Sequence, residues 1–499
     1  MPSLTIDYVP GTVSARIIGS DDFSDSVWNR VLQAASQADA DARVVGRMVE
    51  LPWGAALPVI LELGGLRRDH GFTMDATPDA GQRLQNFHAE RAAVRAARTA
   101  EGPPAILSSE QVEDSLRALG FTRRTLRDFQ IADIIRLTAL RHGANFSVPG
   151  AGKTTVTLAV HLLTCNPHTH LLVVAPKNAF AAWDEVIDDC MSADAPDGNA
   201  QPFVRLDMDD IGVDRALQDG GRRFIISYDK LIRIQRVMSR YMARNQVHLV
   251  LDESHRIKAG DDSARGRALL GVAALPVRRD ILSGTPAPNS IADLQPQLDF
   301  LWPGVHLGTQ VAQASRPRDV LQNLYVRTTK RQLGLTPPTR HFRHVEMGPA
   351  QLILYTTLKD VVIEQLRDIR RSRHVDFIAA RRSVMRLLQV ATNPVVAAVN
   401  MLGGGDRRED RGTALLETVI EEGDSNKMVE AVTLARDLAR QNRKTVVWTI
   451  FRPTIDRLEA LAQDMSPVVL HGGVPAGDDR SQDTREGRIR RFHDDPDCW

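Results

Sequence analysis

The stretch Ser147-Val-Pro-Gly-Ala-Gly-Lys-Thr154 decides the fold. An apolar run, Asn145–Val148, leads into it, and an amphipathic stretch, Thr154–Leu163, follows. Glycine-rich text between a strand and a helix makes a tight turn whose backbone N–H groups can approach phosphate oxygens. The helix N-terminus adds the positive end of its dipole. Pro149, Gly150, Ala151, Gly152, Lys153, Thr154 and Thr155 are therefore the expected nucleotide cradle. Lys153 would reach the outer phosphates, and the Thr154 hydroxyl suits Mg²⁺. Ser147 stands where the usual pattern has its first glycine, so the strict template is not met.

Working outward, short apolar runs recur between amphipathic stretches. Leu171–Pro176, Phe224–Tyr228, His248–Glu253 and Asp280–Gly284 read as strands, and Thr154–Leu163 and Ala179–Asp189 as helices. Such alternation predicts a parallel sheet covered on both faces, with ligands at the carboxyl ends of its strands. One of these strands runs His248-Leu-Val-Leu-Asp252-Glu253-Ser254-His255. Adjacent acids at a strand end are commonly a solvated turn. In one unit with a phosphate loop they gain roles: Asp252 to hold Mg²⁺ and Glu253 to polarise an attacking water. Another strand ends in Ser283-Gly284-Thr285-Pro286, small hydroxylated residues placed either to sense a terminal phosphate or to make an ordinary exit turn.

The flanks carry less chemistry. Residues 1–120 read as an α+β accessory region, with a hairpin around Pro10-Gly11-Thr12 and helices near Val27–Ala35, Ala55–Leu63 and Ala80–Ala100. This region contains no catalytic constellation and reads as a docking or substrate-contact module, the place where protein partners would be expected. Residues 121–310 form the nucleotide-binding lobe. Residues 311–425 read as mainly helical, and seven arginines face two aspartates between Arg367 and Arg386. That run is either a solvated helix face or a phosphate-backbone contact, with Arg370, Arg371 and Arg373 at its centre. Gly403-Gly404-Gly405 marks a break. From 426 to 499 the alternation resumes, with strands expected at Thr445–Ile450 and Pro467–His471. Two strands are too few for an independent sheet.

Composition narrows the class. Apolar residues make up 43% and charged residues 25% of the 499, the balance of a globular chain rather than a disordered one. No apolar run is long enough for a membrane span, and the N-terminus lacks the pattern of a signal peptide. The expected location is the cytoplasm. Sixty-three basic against 62 acidic residues exclude a generic polyanion binder, so any nucleic acid must meet a local basic surface. Three cysteines without paired spacing argue against a disulfide scaffold or a zinc site. Histidines such as His168, His170, His341 and His344 lack partners at ligand spacing. With only 5% aromatic residues, stacking on single strands is disfavoured.

The order SVPGAGKTT, VVAPKNAFAAWDEV, IISYDKL, LVLDESH and LSGTPAPNS resembles the successive motifs of superfamily-two helicases. More narrowly, it resembles the Swi/Snf (sucrose-non-fermenting) branch of double-stranded DNA translocases. Leu126-Arg127-Asp128-Phe129-Gln130 is similar to that branch's entry motif, which implies that Gln130, with Arg127 beside it, reads adenine. Trp183 and Glu185 match the tryptophan and acid after the second motif. Tyr325–Lys330, Pro337-Pro338, Gln351, Tyr355 and Arg386–Pro394 resemble the brace and connector. Ser425–Lys427, Val446–Thr449 and His471-Gly472-Gly473 resemble the opening of the second lobe.

The resemblance implies an α/β fold with one RecA-like lobe and part of a second, with ATP and Mg²⁺ held between lobes. It makes Lys153, Asp252 and Glu253 the catalytic set and His255, Ser283, Gly284 and Thr285 the coupling set. Lys177, Arg370, Arg371, Arg373, His471 and Gly472 would face double-stranded DNA. The family's last two motifs, with their arginine fingers, have no counterpart before Trp499. The chain is therefore expected to be part of a longer protein and to hydrolyse ATP weakly alone. A strand-separating helicase or defence motor, an ATP-gated DNA clamp and, more remotely, a small-molecule kinase are the rival readings.

Overall fold

Every second residue of the first strand, Leu4, Ile6 and Tyr8, is buried, the period-two signature of a sheet with one covered face. The computed structural model describes residues 2–99, 105–336, 338–371, 377–403, 410–475 and 481–499. The chain divides into two compact units, Met1–Pro338 and Thr339–Trp499.

Unit one begins with strands β1 (Ser3–Val9), β2 (Ser14–Gly19), β3 (Arg43–Val45), β4 (Met48–Pro52) and β5 (Thr73–Ala76). They form a sheet in the order β3-β4-β2-β1-β5. The β1–β2 hairpin turns where Pro10-Gly11-Thr12 was expected to bend the chain. Helix α1 (Asp25–Ala38) starts under a Ser24 cap, whose hydroxyl accepts from Val27 N at 3.3 Å. Helix α2 (Trp53–His70) ends where Gly71 takes a left-handed φ of +67°, and α3 (Pro78–Ala97) follows β5. Both α1 and α2 outrun their sequence-based limits, because Trp53, Leu66 and neighbouring apolar positions continue the buried face beyond the strongest periodicity.

The remainder of unit one is a seven-stranded sheet. Its strands are β6 (Gly143–Asn145), β7 (His170–Ala175), β8 (Val204–Arg205), β9 (Arg223–Ser227), β10 (Val247–Asp252), β11 (Arg278–Leu282) and β12 (Tyr325–Val326). They pair in parallel throughout, in the order β12-β6-β11-β10-β7-β9-β8. Strand β6 stops at Asn145, short of the expected Val148, because the chain there begins its turn into the loop. Helices α4 (Ser109–Ala118), α5 (Asp128–Thr138), α6 (Lys153–Thr164) and α7 (Phe180–Cys190) precede or alternate with the first strands.

Successive residues of the central strands feed opposite cores. Leu172, Val174, Leu249 and Leu251 join one apolar cluster, and Leu171, Val173 and Val250 join the other. Near-continuous apolar runs are what a sheet covered on both faces requires. The first cluster continues without interruption into the N-terminal sheet and its helices. The accessory region is thus packed on the lobe rather than tethered to it.

A buried polar knot reinforces that junction. Arg279 of β11 donates to Glu90 of α3 at 2.6 Å, to Ala273 O at 2.7 Å and to Leu301 O at 2.9 Å. His142 Nδ1 accepts from Arg279 N at 3.1 Å, and His142 Nε2 lies 3.3 Å from Glu90. Burial alone would raise the Glu90 carboxyl, but Arg279 and His142 hold it well below the ordinary range. Burial, together with Arg279, lowers His142 to about 3, so the ring is neutral.

The described residues of unit two carry helices and no strand. Helices at Pro349–Arg371, Phe377–Val390, Pro394–Gly403 and Asp410–Glu422 enclose a small core of Ala350, Leu354, Val390, Ala397, Ala398 and Val419. Those at Asn426–Arg440 and Arg452–Leu461 enclose a second core around Val432, Ala435 and Met465. The strands expected at Thr445–Ile450 and Pro467–His471 do not form ladders. Their sequences are β-prone, but each lacks a paired neighbour, and Trp448 is left 90% exposed. Gly404, Gly405 and Arg373 lie outside the described residues.

Candidate nucleotide site

The phosphate loop is built by one strand, two glycines and an anchor. After β6, Ala151 N donates to Val148 O at 3.2 Å, and the loop turns on Gly150 (φ +84°) and Gly152 (φ +75°). A side chain at Gly152 would strike Gln130, since a Cβ there would lie 2.3 Å from Nε2. Both backbone freedom and space therefore require glycine at 152. Lys153 opens α6, so the first-turn N–H groups of that helix face the loop.

Ser147, the departure from the glycine pattern, has a definite job. Its hydroxyl accepts from Thr328 N at 2.9 Å and lies 3.4 Å from Asp133 Oδ2, and its carbonyl accepts from Lys153 Nζ at 3.1 Å. Thr328 Oγ1 also donates to Asp133, at 3.0 Å. Burial raises the Asp133 carboxyl, while these two hydroxyls pull it back. A serine here pins the loop to α5 and to the chain after β12. Sequence reading gave no role to Asp133, Asn145 or Thr328, although Asn145 opens an expected strand and Thr328 lies within the Tyr325–Lys330 run; Asn145 accepts from Ser147 N at 3.1 Å.

Asp252 and Glu253 lie at the carboxyl end of β10. Asp252 Oδ2 accepts from Trp183 Nε1 of α7 at 3.0 Å, and its Oδ1 accepts from Glu253 N at 2.9 Å. The Tyr228 hydroxyl donates to Asp252 O at 2.7 Å. Burial raises the Asp252 carboxyl, and neighbouring Glu253 adds to the rise, while Trp183 and Lys153 oppose it. Burial lowers the Lys153 ammonium, and the charges of Glu253 and Asp252 oppose that shift. Glu253 takes φ +52°, a left-handed backbone that costs a non-glycine residue.

His255 joins the acids to the next strand. Its Nδ1 lies 3.1 Å from Ser283 Oγ and 3.3 Å from Glu253 Oε2. Ser283 Oγ also accepts from Thr285 N at 3.2 Å. Gly284 is needed for contact with the loop itself, since a Cβ there would lie 2.8 Å from Pro149 Cδ. Gln297, which sequence reading overlooked, staples both turns: it accepts from Ser254 Oγ at 2.7 Å and donates to Pro286 O at 2.6 Å.

Gln130 is buried, with Oε1 accepting from Arg127 N at 3.0 Å and Nε2 donating to Ala151 O at 3.2 Å. An amide oxygen and an NH₂ group each keep a second hydrogen-bonding capacity. The Thr155 hydroxyl accepts from Arg124 at 3.1 Å, whereas the half-buried Thr154 hydroxyl has no hydrogen-bond partner among the described residues. The donor types fit a magnesium nucleotide: the Thr154 hydroxyl, the Asp252 carboxyl, Lys153 and the N-terminus of α6. Lys177 is exposed in a short turn, Lys177–Ala179, after β7. His471 and Gly472 lie in unit two, where His471 Nδ1 accepts from Gly473 N at 3.0 Å. Arg370 and Arg371 belong to helix Pro349–Arg371, with their side chains outside the described residues.

Residues 146–394, which include the loop, the acids and the Ser283 turn, match the SNF2-related domain family. The chain belongs to the Snf2-type branch of superfamily-two helicase-like ATPases. A curated relative of this Snf2-type chain is a probable ATP-dependent DNA helicase, CHR23, of Arabidopsis thaliana. It is 30% identical over 168 aligned residues, and the match covers 31% of this chain and 14% of that protein. The Snf2-type chain thus spans a small part of the relative's length. Among solved structures, the helicase domain of Hef from Pyrococcus furiosus aligns at TM-score 0.41 and 14% identity, over 68% of this chain and 79% of that one. The UvsW helicase of bacteriophage T4 aligns at 0.31 and 10%, over 60% and 97%. Among the described residues no helix is long and apolar enough to cross a membrane.

Proposed function

We propose that this chain is the motor part of an ATP-dependent double-stranded DNA translocase. The observation that carries the reading is Lys153 opening α6 directly after the Gly150–Gly152 loop, with Asp252 and Glu253 at the carboxyl end of β10 and tied through His255 to Ser283. Lys153 and the α6 N-terminus would hold the phosphates, Thr154 and Asp252 would hold Mg²⁺, and Glu253 would orient the attacking water. The magnesium ion, when bound, would neutralise phosphate charge. Gln130 would meet the base through the capacity its internal hydrogen bonds leave free.

Lys177, the arginine run around Arg370, Arg371 and Arg373, and the His471-Gly472 turn are the proposed DNA contacts. Such contacts hold a phosphate backbone without reading sequence, as a motor that moves along DNA needs. The SNF2-related match supports this reading over a small-molecule kinase. DNA-stimulated ATP turnover, measured beside triplex displacement and duplex unwinding, tests it. Turnover with triplex displacement and no unwinding is the expected result; unwinding would mark a helicase, and no DNA-dependent turnover would reject the motor.

A further inference from the structure

At the far end of α6 from the phosphate loop, about 18 Å along the helix, lies a second cluster that the nucleotide site does not use. His161 is in the last turn of α6 and Cys165 caps it, one helical turn apart, with Cys165 N donating to His161 O at 3.0 Å. His248, the second residue of β10, points its Nδ1 at both: 3.2 Å from His161 Nδ1 and 3.9 Å from Cys165 Sγ. All three ligand atoms lie within 4.8 Å of one another. Both histidines are buried, and Cys165 is half-buried.

We propose that His161, Cys165 and His248 form a binding site for a transition-metal ion of the zinc class. Zinc–nitrogen bonds near 2.05 Å and a zinc–sulfur bond near 2.3 Å give tetrahedral edges of roughly 3.3 Å between nitrogens and about 3.6 Å between nitrogen and sulfur. The two separations from His248 Nδ1, 3.2 and 3.9 Å, come near these edges, and the remaining one is within 4.8 Å. One thiolate with two imidazoles is a donor set that suits zinc.

The surroundings complete the pattern. His248 Nε2 faces Asp280 Oδ2 at 3.0 Å, the carboxylate–histidine arrangement that orients a metal-binding imidazole and fixes its tautomer. Asp280 is itself held by Arg278 at 3.0 Å and by Gly143 N at 2.8 Å. A cavity of about 80 Å³, lined by His161, Cys165, Asn166, Thr169, Arg222 and Arg223, adjoins the cluster. It gives an entry path and room for a fourth ligand. Arg223 and Arg278 oppose a cation here; loss of the thiol proton and the Asp280 carboxylate offset them. The site would clip the end of α6 to the centre of the sheet.

The test uses the natural protein, stripped with a chelator and titrated with Co²⁺ as a spectroscopic probe. One equivalent should produce a near-ultraviolet thiolate-to-cobalt charge-transfer band, which Zn²⁺ then displaces. Cys165→Ser should abolish the band while the protein stays folded, and Lys153→Ala should keep it. Zn²⁺ should slow alkylation of Cys165, followed by peptide mapping, at least tenfold; Asp280→Asn should weaken metal affinity by roughly 10–100-fold. A folded wild-type protein without the band, or a band that survives in Cys165→Ser, would overturn the assignment. Cys165 reads out the result even where a substitution of the fully buried His248 prevents folding.

Discussion

His255 Nδ1 lies 3.1 Å from the hydroxyl of Ser283, so the turn after β10 and the turn after β11 share a hydrogen bond beside the phosphate loop. The same imidazole nitrogen faces Glu253 at 3.3 Å. A change at the acid can therefore reach the Ser283 turn through one ring. Ser283→Ala should leave ATP affinity within about twofold and cut DNA stimulation of turnover by roughly tenfold, the worth of one hydrogen bond. Steady-state turnover with and without DNA checks it; equal loss in both conditions would make Ser283 a general structural residue.

Gly284 and Gly152 should be intolerant of even one methyl group. Alanine at 284 would meet Pro149 Cδ at 2.8 Å, and alanine at 152 would meet Gln130 Nε2 at 2.3 Å from a left-handed backbone. The backbone alone costs about 1–2 kcal/mol at 152. We expect Gly152→Ala to lose nucleotide binding by more than tenfold, with a smaller loss for Gly284→Ala. Fluorescent-nucleotide titration checks both.

Sequence reading found the loop, the acid pair and the Ser283 turn because each is a contiguous run at a strand end. It also found the parallel sheet, whose apolar strands of residues 170–175 and 247–252 admit no half-exposed alternative. Long-range anchors were not legible. Nothing around Asp133, Thr328 or Gln297 marks them as partners of Ser147 or Ser254, and their roles arise only from folding. His161, Cys165 and His248 carry no paired-cysteine spacing, since a helix turn and a distant strand bring them together. The β-prone runs at Val446 and Val469 had the right local pattern, but a strand is stabilised by neighbours, and none pairs with them here.

Glu90 joins the accessory region to the lobe, and its loss should be felt globally. Removing one partner of a buried pair leaves Arg279 unpaired, at a cost of about 3–5 kcal/mol. Its carboxyl is held below the ordinary glutamate range, so the stability it contributes is complete above pH 4.5 and falls as pH drops below that value. His142, neutral when folded, adds acid lability below about pH 6.5. Chemical denaturation of Glu90→Ala between about pH 2 and 8 should show a lower plateau and a shallower decline below pH 4.5. An unchanged midpoint would reduce the knot to a bystander.

Neutralising Arg370, Arg371 and Arg373 together tests the proposed DNA face. The slope of log affinity against log salt should flatten by up to about one per lost phosphate contact, with little change in sequence preference. An unaltered slope would return the run to a solvated helix face.

The central claim, that Glu253 orients water at a site where Lys153 holds phosphate, is tested most directly by Glu253→Gln in the natural full-length protein. ATP affinity and DNA-stimulated turnover are measured on one preparation, with Lys153→Ala beside it. The account predicts near-normal ATP binding and a turnover reduced by roughly 10²–10⁴ in Glu253→Gln, against loss of binding in Lys153→Ala. Wild-type turnover in Glu253→Gln would contradict it.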